Sequence, residues 1–265
     1  MPIYQHWILK TDERIATLTL NRPEWNNSIT TEVLRELNGI TTVLAGDIDI
    51  SAVILRGEGR HFSSGADPAL FQAMLNQPEE AFRRELAEMQ NALDEFERLP
   101  QPTIAQLHGF CLGGGLLLAL CCDFRIASQR TVFAFPEIRV GISPLWGTHR
   151  IPRAVGALRA RELVLLGERF NARTALEYRL INQVVPPDEL DRAVEDLTDK
   201  LQRLPPGSVR MVKRVLTQCE YLAPEESQKM EMEAQVELLG SPELRAAVKG
   251  YLKEVRREEE DTETG

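Results

Sequence analysis

CLGGGLLLAL, residues 111–120, puts three consecutive glycines at the mouth of a run with no polar side chain, and CCD (121–123) closes it. Glycine inside a helix costs about 1 kcal/mol relative to alanine. Three of them where an apolar helix should begin therefore need a reason. The unbroken apolar residues from Leu116 to Cys122 leave no polar stripe, which predicts a helix buried on all sides. A buried helix start must still satisfy its free N–H groups, yet no Ser, Thr, Asp or Asn stands immediately before Gly113. Two readings remain open. The bare N–H groups and the glycines' close approach could receive an anionic group, helped by the helix dipole. Alternatively the glycines only allow tight packing of helix on sheet, for which three are more than needed.

Working outward, PTIAQLHGF (102–110) reads as a strand leading into this helix, and AVILRG (52–57) as an earlier, buried strand. RIATLTLNRP (14–23) is a strand ended by Pro23. TTEVLRELNGITTVLAGD (30–47) has helical spacing, with Val33, Leu34, Leu37, Ile40 and Val43 on one stripe. Downstream, FRIAS (124–128) and TVFAF (131–135) read as short strands. The alternation of strand and helix predicts an α/β core of repeated crossovers. From about residue 157 the pattern becomes helical almost without interruption, with VEDLTDKLQRL (194–204) and ESQKMEMEAQVELL (226–239) as amphipathic examples. The shift separates a core, residues 1–195, from a C-terminal helical region with an acidic tail, 196–265.

Composition narrows the function. The chain has 265 residues, 43% hydrophobic and 27% charged, enough for a real core. A net charge of −9 argues against a general nucleic-acid binder. Basic residues gather locally in HRIPRAVGALRAR (149–161) and LKEVRR (252–257), a pattern that suits a small anionic ligand. No apolar run approaches the roughly 18–20 residues of a membrane span. The N-terminus does not read as a signal peptide, so a cytoplasmic location is expected. The four cysteines form no metal or CxxC spacing; Cys121 and Cys122 read as small buried hydrophobes.

Two further stretches carry chemistry. GRHFSSGADPALF (59–71) follows a strand and enters a helix through Asp67 and Pro68, the latter suited to a first helical turn. Paired with the glycine-started helix, it offers a second backbone N–H that could converge on one oxygen, the construction of an oxyanion hole. In FPEIRVGISPLWG (135–147), Glu137 lies between Pro136 and Ile138 in apolar surroundings. Burial there would raise its pKa, which suits a general acid or base.

SSGAD, HGFCLGGG and FPEIRVGISP, in this order and spacing, resemble the crotonase superfamily of enoyl-CoA hydratases and isomerases, and LTLNRPEWNNSIT resembles its N-terminal motif. The resemblance spans roughly residues 8 to 257. It implies an α/β spiral of repeated ββα units, a C-terminal helical trimerisation region, and a homotrimer or dimer of trimers. It also implies a coenzyme A thioester as substrate, with no separate cofactor, metal, nucleic acid or membrane partner. Ala66 and Gly114 match the two positions whose N–H groups hold the thioester oxygen, and Glu137 matches a catalytic acid–base. Ser64, Gly65, Asp67 and Pro68 match the loop along which CoA lies, Trp25 borders the nucleotide, and Lys253, or Arg256 and Arg257, meets its phosphates. Pro136, Leu117, Leu145 and Trp146 fall around the acyl pocket.

The departures bear on the reaction. Family hydratases carry a second glutamate where this chain has Leu117, and SPLWG replaces a glycine-rich loop, so Leu145 and Trp146 would narrow the pocket. A single carboxylate suits double-bond isomerisation, in which one group shuttles a proton between two carbons. The competing expectation is a hydratase with a weakened or relocated second acid. Beyond these stand a non-catalytic CoA-binding protein and a serine hydrolase using Ser63 or Ser64 with His108 or His149.

Overall fold

The computed structural model describes residues 4–252, apart from 145 and 243. They divide into two compact units on either side of Asp199 and Lys200.

In the first unit, β1 (Trp7–Asp12) and β2 (Ile15–Leu20) form an antiparallel hairpin, followed by α1 (Thr31–Gly46) and β3 (Ala52–Gly57). Then come α2 (Pro68–Asn76), α3 (Glu79–Glu97), β4 (Thr103–Leu107), β5 (Phe110–Leu112) and α4 (Gly114–Leu120). The chain continues through β6 (Phe124–Ser128), β7 (Val132–Ala134), α5 (Arg150–Leu166), β8 (Phe170–Asn171), α6 (Ala172–Glu177), β9 (Gln183–Val185) and α7 (Leu190–Gln202). Two sheets result, ordered β1-β2-β3-β4-β6-β9 and β5-β7-β8. The larger is parallel from β2 onward. Every residue of its central strand β4 is buried, as a parallel strand covered on both faces requires, and five of the six residues of β3 are buried.

The spiral follows from this order. β4 lies in the large sheet, β5 in the small one, and α4 closes the turn; β6, β7 and α5 repeat the path one strand further along each sheet. Earlier turns reach the small-sheet layer through single bridges, Ile29 to Ala66 and Ser63 to Cys111. The core lies between these layers and includes Leu18, Val33, Leu37, Leu55, Phe96, Leu107 and all of α4. The buried α4 bears out the reading of its unbroken apolar run.

Several sequence expectations need correction. Val43 is exposed, and Thr41 and Leu44 complete the buried stripe of α1. The region after 157 is interrupted by β8 and β9, two or three residues each, too short for any periodicity to register. β9 exists through its parallel pairing with β6, and that partner is more than 50 residues away.

In the second unit, α8 (Pro206–Cys219) packs against α9 (Pro224–Leu239), with an ion pair between Arg214 and Glu237 at 2.8 Å. The amphipathic expectation for α9 is met weakly: Ala234 is buried, while Met232, Val236 and Leu239 are exposed. Lys253, Arg256 and Arg257 lie outside the described residues, as does Leu145. No described helix is long and apolar enough to cross a membrane.

Candidate active site

The register of the spiral assembles the site. Ser63 bridges to Cys111, and Cys111 pairs with Phe133. Ala66 lies three residues past Ser63, and Gly114 three past Cys111, so they occupy equivalent places on neighbouring turns. Glu137 comes four residues past Phe133, on the next turn. Parallel neighbours stand about 4.8 Å apart, so three distant sequence motifs meet as consecutive rungs.

Each glycine of the triple faces a different partner. Gly113 sits at φ +49°, the left-handed region, and a Cβ there would collide with Glu137 Oε1. A Cβ on Gly114 would stand 2.7 Å from Trp146 Cζ2 and 3.4 Å from the Ala66 nitrogen. On Gly115 it would lie 2.5 Å from the Ser63 Cβ. The expectation that packing needs fewer than three glycines is therefore wrong, because carboxylate, indole and loop each press on a separate residue. The other reading survives beside it. Gly113 caps α4 without any side-chain bond. The Gly113 N–H donates to Ala134 O at 2.8 Å, while those of Ala66 and Gly114 donate to no acceptor in the described chain.

The 63–68 loop is tied down by hydrogen bonds. The buried Asn27 side chain donates to the carbonyls of His61 (2.7 Å) and Glu58 (2.9 Å) and accepts from the Arg22 N–H (2.9 Å). Ser63 Oγ donates to Asn27 O at 2.7 Å and accepts from the Gly65 N–H at 3.1 Å. Asp67 caps α2 by accepting from the Ala69 N–H, with Pro68 in the first turn. It also accepts from Ser28 Oγ at 2.6 Å and lies 3.5 Å from Arg22 Nη1. Burial opposes its ionisation, but the Ser28, Ala69 and Arg22 groups outweigh this and hold its pKa below the ordinary value. Asn27 was not singled out as a site residue in the sequence; its signal was only an asparagine in a turn.

Glu137 sits in a one-turn 3-10 helix, Pro136–Val140, with 7% of its surface exposed. Burial pushes its pKa up, partly offset by a backbone hydrogen bond, and its Oε2 has no partner among the described residues. Trp146 is 1% exposed, and its Nε1–H has no acceptor among the described residues. Leu117 is fully buried, and a Cβ on Gly147 would lie 3.8 Å from its Cδ2. Ala66, Gly65, Gly114, Glu137, Trp146 and Leu117 are thus brought together. Ser64 and Asp67 belong to the tied loop beside them, and Pro136 precedes Glu137 on its turn. Trp25, in a one-turn helix, is 61% exposed.

Two arginines of the basic segment 149–161 are engaged within the protein. Arg150 is 3% exposed and binds Asp94 and Glu97, both at 2.6 Å. Arg159 pairs with Glu162 and lies over the Tyr178 ring. Arg150 thereby ties α5 to α3. The serine-hydrolase alternative fails on geometry. Ser63 Oγ bonds only backbone groups, and His108 Nε2 lies 3.1 Å from the Gly59 carbonyl oxygen. Among the described residues no serine hydroxyl bonds a histidine. Burial pushes the thiols of Cys111 and Cys121 up, which fits their reading as hydrophobes.

A spiral of this kind, with backbone donors and a buried carboxylate on successive turns, defines the crotonase class. The chain matches the family described as enoyl-CoA hydratase/isomerase over residues 10–259 and belongs to that family; it is an enzyme of it. It is 35% identical over 212 residues to a crotonyl-CoA hydratase of Syntrophomonas wolfei, covering 79% of this chain and 80% of that one. It is also 28% identical to a trans-2-decenoyl-[acyl-carrier-protein] isomerase of Streptococcus mutans, over 96% of this chain and 97% of that one. The crystal structure of an enoyl-CoA hydratase from Bacillus anthracis superposes with a TM-score of 0.87 at 30% identity, covering 94% of this chain and 97% of that one.

Proposed function

We propose that the protein acts on an enoyl-CoA thioester, holding the thioester oxygen on the N–H groups of Ala66 and Gly114 and moving a proton with Glu137. Removing a proton from the α-carbon shifts negative charge onto the thioester oxygen. Two preorganised donors stabilise that enolate, each worth about 3–4 kcal/mol of barrier. Glu137 takes the proton at C2 of a 3-enoyl chain and returns it at C4, leaving the 2-enoyl isomer with no water consumed. The observation that carries this reading is the partnerless Oε2 of a buried glutamate beside two free backbone donors. Burial also raises its pKa, so it can both accept and release a proton.

Isomerisation is preferred because Leu117 occupies the place of the second acid and is fully buried among apolar groups. A second reading, hydration, is supported by relatives named as hydratases. Incubation with 2-enoyl- and 3-enoyl-CoA thioesters followed by mass spectrometry separates the two. Isomerisation leaves the mass unchanged, and hydration adds one water. Turnover of neither thioester overturns both readings. The assembly is proposed as a homotrimer or a dimer of trimers. The exposed Met232, Val236 and Leu239 of α9 support an assembly that covers them, and sedimentation equilibrium tests it.

A further inference from the structure

His61 is a buried titratable side chain that the proposed mechanism leaves idle. It precedes the Ser63–Pro68 loop, and its ring reaches across to β5. There Nδ1 lies 3.0 Å from the Phe110 nitrogen and accepts that backbone N–H. A backbone amide can only donate, so Nδ1 carries no proton and the ring proton is on Nε2. The rings of His61 and Phe110 also stack, with centroids 4.2 Å apart and planes 4° from parallel.

This bond completes a ladder between two chain segments. Ser63 N–H donates to Phe110 O at 2.9 Å, and Leu112 N–H donates to Ser63 O at 3.1 Å. In a regular parallel ladder the Phe110 N–H would donate next to the His61 carbonyl. That carbonyl accepts instead from the Asn27 side chain at 2.7 Å, and the imidazole takes its place. Gly109 makes room, at φ +56°, since a Cβ there would stand 2.5 Å from Nδ1. From this rung both segments run on to the proposed donors, Ala66 and Gly114. A Cβ on Gly65 would stand 2.7 Å from Leu112 O and 3.2 Å from the Gly114 nitrogen, so the two segments are still in close contact there.

The charged groups around the ring disfavour a proton on it. Burial lowers the pKa of His61, and Arg60 on its own segment and His108 after β4 lower it further. His108 is faced in turn by Arg56 and Asp191, and its Nε2 lies 3.1 Å from Gly59 O. Arg169, before β8, holds its guanidinium over the Phe110 ring at 5.3 Å.

We infer that His61 is a positioning residue whose unprotonated Nδ1 holds β5 to the loop that leads to Ala66, keeping the Ala66 and Gly114 N–H groups convergent, and that a proton on Nδ1 releases this hold. The inference rests on the proposed thioester site. Protonation would set two donors against each other across 3.0 Å, and the rung would open. Displaced oxyanion donors cost most in the transition state, so the loss falls on kcat.

The test uses whichever of 2-enoyl- and 3-enoyl-CoA the full-length wild type turns over. His61→Leu offers no acceptor, whereas the Oδ1 of His61→Asn follows the same bonds from Cβ as Nδ1 and does not titrate. At about pH 8, His61→Leu should lower kcat about 10- to 100-fold with KM changed less than about twofold, and His61→Asn should restore kcat. Glu137 titrates in both the wild type and the Asn variant, so the ratio of their kcat values isolates His61. That ratio should fall about tenfold or more from about pH 8 down to about pH 5, as pH drops through the lowered pKa. Nitrogen-15 NMR of the wild-type imidazoles should place the His61 proton on Nε2, and this arm and the ratio stand should the Leu variant fail to fold. A flat ratio, a Leu variant as active as the wild type, or a proton on Nδ1 at about pH 8 overturns the inference and leaves the proposed function intact. Turnover of neither thioester by the wild type overturns the functional reading, and the inference falls with it.

Discussion

The loop from Ser63 to Pro68 and the segment from Glu137 to Trp146 flank the same glycines, yet they treat their polar groups in opposite ways. In the first, Asn27, Ser63, Ser28 and Asp67 satisfy one another and the backbone. In the second, Glu137 Oε2 and Trp146 Nε1 are buried with no partner. The contrast separates two jobs. Satisfied polar groups fix where the Ala66 N–H points. Unsatisfied ones leave a buried acceptor and a buried donor without a fixed partner among the described residues. Their titration follows the same division, with the pKa of Asp67 held down and that of Glu137 pushed up.

The sharpest way to break the comparison is Glu137→Gln, which keeps the shape and removes the base. Turnover should fall about 100- to 10,000-fold, the range a positioned acid or base supplies, while CoA binding by calorimetry persists. A variant that turns over at the parent rate removes Glu137 from the mechanism.

Gly113→Ala attacks the boundary between the two regions. Its φ of +49° strains an alanine, and the added methyl drives into Glu137 Oε1. We expect a loss of stability of about 1–3 kcal/mol in denaturant unfolding. Turnover should drop by at least about tenfold, because small misplacements of a reacting group are expensive. An alanine variant as active as the parent would mean that the carboxylate need not occupy this place.

Asn27→Ala tests the satisfied side. It orphans the carbonyls of Glu58 and His61 and the Arg22 N–H, so a loss of about 2–3 kcal/mol is expected. The effect should fall mainly on stability, with turnover at low temperature reduced less than in Glu137→Gln. The reverse pattern would place Asn27 in the chemistry.

The smallest effects are in pH dependence, and their signs differ. Asp67 is depressed, so its contribution to stability is present above the unfolded pKa and lost as pH falls through the folded value. Glu137 is raised, so its contribution is present below the unfolded pKa and lost as pH rises through the folded value. Asp67→Asn should therefore flatten the acid loss of stability, and Glu137→Gln should steepen it. kcat/KM should also rise with pH through a value above that of an ordinary glutamate, since the base must be ionised. Unfolding curves at several pH values and a pH–rate profile read both.

Much of the architecture was legible because it is local. β3 and β6 coincide with AVILRG and FRIAS, and the buried α4 follows from its unbroken apolar run. β8 and β9 were not legible, since strands of two or three residues exist only through partners elsewhere in the chain. At the candidate site the glycine triple, the SSGAD loop and Glu137 stood out as residue types in unusual company. What each glycine faces did not, and the count of three was misjudged for that reason.

The sequence by itself determined several of the core strands and helices, the buried helix with its bare start, and a carboxylate set among apolar neighbours. Each of these depends on residues within a few positions of one another. Tertiary structure alone decided that Ala66, Gly114 and Glu137 lie on successive rungs. It also turned Arg150 inward onto Asp94 and Glu97 and left Trp146 without an acceptor. Those outcomes depend on strand register across tens of residues, where a shift of one position reverses which face every side chain takes.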